Sequence, residues 1–274
     1  MKKKDGTKRK MSRAKKFLIA AGTVLAVVLI AVFVFFVSPV FKIKSVEVPE
    51  FANCQREDIL PYLEKYIGKN GFRTVISNSS ATQSKSFFSL ELVKTEEEIA
   101  FDFPYLENVC VKFGMDGTLT LSADERQESF LTEYMSTYLM CDTHGIVLAT
   151  FSEENVPSGR PLVKGISLSG YKMGRSISDG KDKNTDTAIK ICGLMSQLDM
   201  EGSIDIIDVS DYNDIYLFCA PSLTVKFGGT DNAGLKLSLL KEVIGKSIDG
   251  YSNGTLTVAD GKQATFVKNG ERED

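Results

Sequence analysis

The chain has 274 residues, of which 43% are hydrophobic and 25% are charged, and its formal net charge at pH 7 is −3. Its first sixteen residues carry a net charge of +8, which leaves −11 for the remainder, and an acidic remainder argues against a nucleic-acid partner. The five cysteines are odd in number and form no CxxC pair, so a disulfide framework is not expected. Small buried side chains are the preferred interpretation, with one isolated bridge left open.

Residues 17–37 form an unbroken apolar run without a charge. As a helix this run would extend roughly 31 Å, the thickness of the hydrocarbon core of a bilayer. It is longer than the apolar region of a cleavable signal peptide, about 7–15 residues, and a buried core helix is seldom apolar on all sides. We therefore predict a membrane anchor. The nine basic residues of the preceding tail, residues 1–16, place the N-terminus in the cytoplasm and the later domains outside the plasma membrane.

The first part of the remaining chain predicts a small α+β unit. Apolar and polar residues alternate over residues 41–48, which indicates a strand, and helical spacing follows over residues 55–67. Thr95 and Glu98 fit a capping box at the start of a second helix. Two strands, residues 109–113 and 118–123, then form a hairpin. The order is β-α-α-β-β on a mixed three-stranded sheet, and residues 73–89, rich in Ser, Thr, Asn and Gln, predict a loop or insertion.

The second part predicts a mainly antiparallel sheet with two helices. The helices are expected at residues 185–198 and 235–244. The expected strands cover residues 138–141, 146–149, 161–163, 204–209, 215–219, 223–227, 255–258 and 264–267. Residues 268–274 are predicted to be a flexible polar tail. The whole chain is thus predicted to be of the α+β class, with one membrane helix at its start.

Few residues suggest chemistry. Cys141, Asp142 and His144 are the one cluster with a nucleophile and a base, but Asp-Thr-His-Gly suits a turn between two strands, and no second histidine exists for a zinc site. Residues 96–98 are all Glu, as expected in the first turn of a helix, where acids complement the dipole. We therefore predict no catalytic residue, no metal, no cofactor and no small-molecule substrate.

Several segments together resemble the FtsQ/DivIB family of bacterial cell-division proteins. The resemblance extends over nearly the whole chain, from the basic tail and single anchor to the later strands. Its motifs are FKIKSVEV at residues 41–48, FPYLENVCV at 103–111, Glu125-Arg126 followed by YLMCDTHGIV at 138–147, PLVKG at 161–165, and VKFG at 225–228 with Lys236 downstream. The chain departs from the family pattern at Gln127-Glu128, where a proline is usual, and in the length of residues 73–89.

The resemblance implies a POTRA domain over residues 41–124 and a β domain over residues 125–267. It implies a divisome scaffold at the division septum, not an enzyme, that binds bitopic coiled-coil proteins of the DivIC/FtsB and FtsL types. Such a scaffold helps to regulate septal peptidoglycan synthesis, and the anchor contacts membrane lipid. Asp124, Glu125 and Arg126 lie between the two domains, where the resemblance implies a hinge and where a solvated linker is the alternative.

The last two strands form the predicted partner-binding surface. A terminal strand is an open sheet edge, and a partner strand can pair with it through backbone hydrogen bonds. The resemblance implies this mode for the DivIC/FtsB partner, and Phe266 is the predicted apolar anchor. The predicted contact residues are Leu256, Val258, Ala264, Thr265, Phe266 and Val267. The alternative is a terminal strand blunted by Lys262 and Lys268.

Two other function classes stay open. A membrane-anchored cell-wall enzyme would need a convergent catalytic group, which Cys141 and His144 alone could supply. A secretion or assembly module would use repeated POTRA units, and the sequence contains one.

Overall fold

The computed structural model describes residues 13–79, 89–219, 222–247, 253–258 and 260–268, which group into two compact units. The first unit comprises the chain up to Phe51 together with Gln55–Glu98 and Val109–Ser122. The second comprises Ala52–Cys54, Ile99–Asn108 and the chain from Ala123 onward. The predicted α+β class, with an apolar helix at the start, is confirmed.

Helix α1, Arg13–Val37, contains the apolar run. Its span Arg13–Phe36 is long enough and apolar enough to cross a membrane, and none of it is buried within the protein. Signal sequences share this length and composition. Within the described residues it is the one helix with these properties. Most of the basic tail, residues 1–12, lies outside the described residues.

A three-stranded sheet and short helices form most of the first unit. Its strands run in the order β1-β3-β2, and β1 pairs in parallel with β3. The parallel pair requires a crossover connection, as the sequence predicted. The elements after α1 are β1 Ser45–Glu47, α2 Arg56–Glu64, α3 Gly71–Ser77, α4 Val93–Asp102, β2 Leu106–Phe113 and β3 Thr118–Glu125.

Two details of the first unit differ from expectation. Part of the predicted loop at residues 73–89 is helical: in α3 the Asn70 side chain accepts a hydrogen bond from the N–H of Arg73, and Phe72 and Val75 are buried. The later part of that loop, residues 80–88, lies outside the described residues. Thr95 is not a helix cap, because α4 begins at Val93. Its buried hydroxyl instead donates to Asn78 Oδ1 at 3.0 Å, since a buried hydroxyl needs a partner.

Aromatic rings join the end of α1 to the first unit. The ring of Phe35 stacks on Phe41 with centroids 4.5 Å apart and lies 4.3 Å from the ring of Phe72. Phe72 in turn meets Phe113 edge to face at 5.6 Å. The side-chain amide of Asn70 donates to the carbonyl of Phe35 at 3.2 Å. The apolar helix therefore ends in contact with the fold that follows it.

A nine-stranded sheet is the centre of the second unit. Its strand order is β12-β11-β10-β9-β8-β7-β4-β5-β6. Most neighbouring strands are antiparallel, but β4 with β7, β7 with β8, and β10 with β11 are parallel. The strands are β4 Phe130–Tyr134, β5 Thr137–Cys141, β6 Val147–Ser152, β7 Leu162–Lys164, β8 Ile206–Asp208, β9 Ile215–Cys219, β10 Leu223–Gly228, β11 Gly254–Thr257 and β12 Thr265–Lys268.

Two helices, α5 Lys183–Gln197 and α6 Ala233–Ser247, complete the hydrophobic core of this unit. Side chains from both helices and from strands along the whole sheet form a single cluster. The apolar face of α5 enters this core, since Ala188, Ile191, Cys192 and Met195 are buried. Burial of this apolar surface is the main stabilising contribution, at about 25 cal/mol per Å².

Candidate partner-binding edge

Strand β12 forms one edge of the nine-stranded sheet, as the sequence predicted for the last strand. It pairs antiparallel with β11, which places Leu256 opposite Phe266 and Thr255 opposite Val267. No further strand pairs with the outer side of β12 among the described residues. Outward-facing backbone N–H and C=O groups of such an edge can accept another strand.

The predicted contact residues occupy different environments. Leu256 and Val258 are fully buried in the core, which leaves their side chains no surface to offer a partner. Phe266 and Ala264 are half-buried and pack against the same core. Thr265 is exposed and Val267 half-buried, and alternation along the strand puts them on the face opposite Phe266. A role for these residues in binding stays a prediction, and β12 itself offers mainly backbone groups.

The Phe266 ring has a structural contact across the two strands. A Cβ atom at Gly254 would lie 2.3 Å from this ring and 2.6 Å from the carbonyl oxygen of Val267. The ring therefore covers the glycine directly, in the manner by which an aromatic residue compensates for a glycine in an edge strand. Since Gly254 has no side chain, β12 can lie flat against β11.

Helix α6 contacts the sheet at the end of β10, two strands in from this edge. The amine of Lys236 donates to the carbonyls of Phe227 at 3.0 Å and Gly229 at 2.8 Å, and it lies 5.1 Å from the centre of the Phe227 ring. Burial lowers the pKa of Lys236, against the opposing effect of Asp231 and Asp260. A Cβ atom at Gly261, in the β11–β12 turn, would lie 3.1 Å from the backbone nitrogen of Lys236. Sequence reasoning matched Lys236 to a family pattern without identifying this contact.

The predicted hinge residues all have ordered partners within the second unit. Asp124 accepts a hydrogen bond from Asn108 at 2.8 Å. Glu125 accepts from the backbone N–H groups of Ala52 at 2.9 Å and Asn53 at 2.6 Å. The hinge role itself stays a prediction.

Arg126 lies at the centre of a charged cluster. Its guanidinium contacts Asp142 Oδ2 at 2.7 Å and Glu107 Oε2 at 3.0 Å. The Asp142 side chain is only 4% exposed, so Arg126 neutralises a buried carboxylate. The other oxygen of Asp142 accepts from the N–H groups of His144 and Ile146, both at 2.8 Å. Asp142 therefore both fixes the 142–145 turn and binds Arg126. This double role explains the Asp at the start of the Asp-Thr-His-Gly motif.

The Cys141, Asp142 and His144 cluster does not have the geometry of a nucleophilic site. Cys141 is fully buried, and burial raises the pKa of its thiol, which disfavours the reactive thiolate. The imidazole of His144 is 75% exposed and its Nδ1 lies 3.9 Å from Asp142 Oδ2. Asp142 is already bound to Arg126, so it has a structural role here.

One group of side chains in the first unit has a composition that could hold a cation. Ligand atoms of Glu91, Glu96 and Cys110 lie within 4.8 Å of one another. The buried Glu96 accepts a hydrogen bond from the N–H of Val111 at 2.9 Å, and Lys112 Nζ lies 3.7 Å from Glu91 Oε1. These contacts already supply donors and a positive charge, so we assign no metal to the group.

Comparison with known proteins identifies a cell-division relative. No family model matches the chain. It is 31% identical over 126 residues to the cell division protein DivIB of Clostridium acetobutylicum, across 43% of this chain and 49% of that protein. The aligned region thus spans about half the length of the relative. The chain is thus similar, over part of its length, to a protein named for cell division.

Proposed function

We propose that this chain, whose similarity to DivIB supports membership in the FtsQ/DivIB family, is a membrane-anchored scaffold of the bacterial division machinery. Helix α1 holds it in the plasma membrane at the septum, with the N-terminus in the cytoplasm and both units outside. Its partners are bitopic coiled-coil proteins of the DivIC/FtsB and FtsL types. By binding them it helps to regulate septal peptidoglycan synthesis, without catalysing a reaction itself.

The open edge of β12 is the observation that carries this proposal. A strand from the DivIC/FtsB-type partner would add to β12 by backbone hydrogen bonds, which give affinity without requiring a deep pocket. The contact between Phe266 and Gly254 holds β12 in place on β11 for this purpose. The exposed Thr265 and half-buried Val267 would then contact side chains of the added strand.

We also propose the domain limits expected from the sequence. The POTRA domain covers residues 41–124 and the β domain residues 125–267, with Asp124, Glu125 and Arg126 setting their orientation. The ion pair of Arg126 with Asp142 supports the view that this segment is held and not freely solvated.

Two proline substitutions test the proposed edge. Thr265 and Lys268 are both exposed and lie an odd number of residues apart, so their N–H groups point to opposite sides of β12. Thr265→Pro and Lys268→Pro therefore remove one N–H that faces β11 and one that faces the open edge. The full-length chain, carrying each substitution, is co-produced with the DivIC/FtsB-like protein of the same organism and purified in detergent by an affinity tag.

The expected result is a separation of stability from binding. The variant that lacks the N–H at the open edge keeps its melting temperature within about 2 °C, but the amount of co-purified partner falls by at least about tenfold. The variant that lacks the N–H facing β11 has a lower melting temperature. Lys268→Gln controls for the lost charge and should retain the partner. Undiminished partner recovery in the proline variant that remains fully folded would refute the proposed edge.

A further inference from the structure

Two short segments of the first unit carry an unusual charge. Residues 38–44 and 65–79 contain five cations and no acidic residue, although the chain after residue 16 has a net charge of −11. The five are Lys42, Lys44, Lys65, Lys69 and Arg73. Positive residues next to the outward end of a membrane helix oppose the charge bias that orients it. Their presence there calls for a separate physical reason.

The fold brings both segments to the end of α1. The N–H of Ile43 donates to the carbonyl of Lys69 at 2.9 Å, and the N–H of Gly68 donates to the carbonyl of Ile43 at 2.8 Å. Asn70 bonds the carbonyl of Phe35, two residues before the end of the helix. All of these residues belong to the first unit, and their hydrogen bonds place the surface of both segments beside the point at which the chain leaves α1.

Three of the cations on this surface have no acidic partner in the described part of the chain. Lys65 pairs with Glu98 at 2.7 Å, and Lys44 donates to the backbone carbonyl of Asp116 at 3.1 Å. Lys42, Lys69 and Arg73 are exposed and form no ion pair among the described residues.

Exposed apolar side chains accompany these cations. Val40 is 63% exposed, Ile67 48% and Ile76 41%. Each is close along the chain to one of the three cations: Val40 to Lys42, Ile67 to Lys69 and Ile76 to Arg73. Apolar side chains mixed with lysine and arginine are typical of surfaces that lie in a membrane interface, where the apolar groups enter the acyl boundary and the cations meet headgroups.

We propose that Lys42, Lys69 and Arg73, with Val40, Ile67 and Ile76, form a docking surface for anionic lipid headgroups on the outer leaflet of the membrane that α1 crosses. This rests on the proposed membrane anchoring. Lys42 follows the last residue of α1 by five positions, a reach of at most roughly 17 Å, and the headgroup region is about 5–8 Å thick on each side. Each cation near an anionic surface favours docking about fivefold, so the three together favour it about a hundredfold.

The absence of tryptophan from the chain provides a direct test. Ile67→Trp introduces a single tryptophan on the docking surface, and Met135→Trp introduces one at an exposed position of the second unit as a control. The full-length chain is reconstituted into lipid nanodiscs that contain either phosphatidylcholine alone or a mixture with 30% phosphatidylglycerol. Emission is excited at 295 nm, and quenching by brominated lipid reports contact with the bilayer.

The expected result is a blue shift and strong quenching for Ile67→Trp in the anionic discs at low salt, with a marked decrease at high salt. Met135→Trp should respond in neither disc. The Ile67→Trp response should be abolished by adding three charge reversals on the docking surface, Lys42→Glu, Lys69→Glu and Arg73→Glu. The matched control makes an equal charge change on exposed lysines of the second unit, Lys164→Glu, Lys172→Glu and Lys190→Glu, and should keep the response. If the first triple variant misfolds by circular dichroism, the corresponding glutamine triple replaces it and should weaken quenching by at least tenfold at equal lipid concentration.

Co-elution of the chain with the nanodiscs separates the two levels of the proposal. A chain that does not co-elute, or that is extracted at alkaline pH, overturns the membrane anchor and the docking surface with it. A chain that co-elutes but gives the same Ile67→Trp emission in both lipids, or is unaffected by charge reversal, overturns the docking surface and leaves the anchor intact.

Discussion

Lys236 illustrates how one buried charge can hold the end of an inner strand. Its amine holds the carbonyls of Phe227 and Gly229 at the end of β10 while its backbone belongs to the first turns of α6. Burial disfavours the charged form, and the two carbonyl hydrogen bonds and the Phe227 ring partly compensate. The pKa of Lys236 is lowered from 10.5 as a result.

Replacing this residue by Lys236→Met should lower the free energy of unfolding by about 2 kcal/mol at pH 7.5, because one buried and one partly buried carbonyl lose their donor. The folded protein releases the Lys236 proton at a lower pH than the unfolded chain does, so the unfolded state binds more protons just below pH 10.5. The wild type therefore gains stability from this residue as pH rises towards 10.5. The cost of Lys236→Met should be larger at pH 10 than at pH 7.5 in urea titrations. A cost that falls with pH would contradict the burial effect.

At the scale of elements, hydrophobic periodicity predicted the long and regular ones. The face of α5 and the strand Ile215–Cys219 follow the expected spacing, because each buries alternate or helically spaced side chains against one core. Helix α3 was not predicted, since its seven residues have weak propensity and depend on burial of Phe72 and Val75. The strand Phe130–Tyr134 was not singled out, because its first three residues are buried in succession and show no alternation.

The edge site was predictable in place but not in detail. Chain order suggested that β12 is an edge, whereas the cover of Gly254 by Phe266 depends on strand register, which local sequence does not specify. The Arg126–Asp142 ion pair joins residues sixteen positions apart and depends on the second unit folding around them. A local sequence pattern identifies each charged residue, but it does not identify the residue with which that charge pairs.

Gly254→Ala tests whether the close approach of β12 to β11 matters. The added methyl group would clash with the Phe266 ring and the Val267 carbonyl, so we expect a loss of about 1–3 kcal/mol and faster amide hydrogen exchange over residues 265–268. Gly234→Ala, in α6, is the matched control. Its Cβ meets nothing within 4 Å, and alanine favours a helix, so stability should be unchanged or rise slightly. Equal effects of the two substitutions would show that the approach is not tight.

At the scale of the whole molecule, the charges are divided along the chain. Nine basic residues precede the apolar run at residues 17–37, and the basic residues that follow the run within ten positions are Lys42 and Lys44. Under the proposed anchoring, this imbalance orients the helix with the basic tail in the cytoplasm. The outward cations reduce the imbalance without reversing it.

Neutralising the nine basic residues of the tail to Gln should therefore produce a mixed orientation, because Lys42 and Lys44 would then dominate the flanks. A β-lactamase fused after the last residue reports the outward fraction by ampicillin resistance, which should fall. Exchanging Lys for Arg and Arg for Lys in the same nine positions keeps the charge and should keep full resistance. Unchanged resistance in the Gln variant, at equal protein level, would show that the tail does not set the orientation.

The strand order of the large sheet has a consequence for how the protein is made. From β7 to β12 the strands lie side by side in the order in which they occur along the chain. A chain delivered N-terminus first would thus extend this side of the sheet one strand at a time. Each newly formed strand would be a temporary edge, open to wrong pairing until the next strand covers it. Strand β12 is the last in this series. A partner that recognises its edge would therefore recognise only a sheet in which all the preceding strands have already formed.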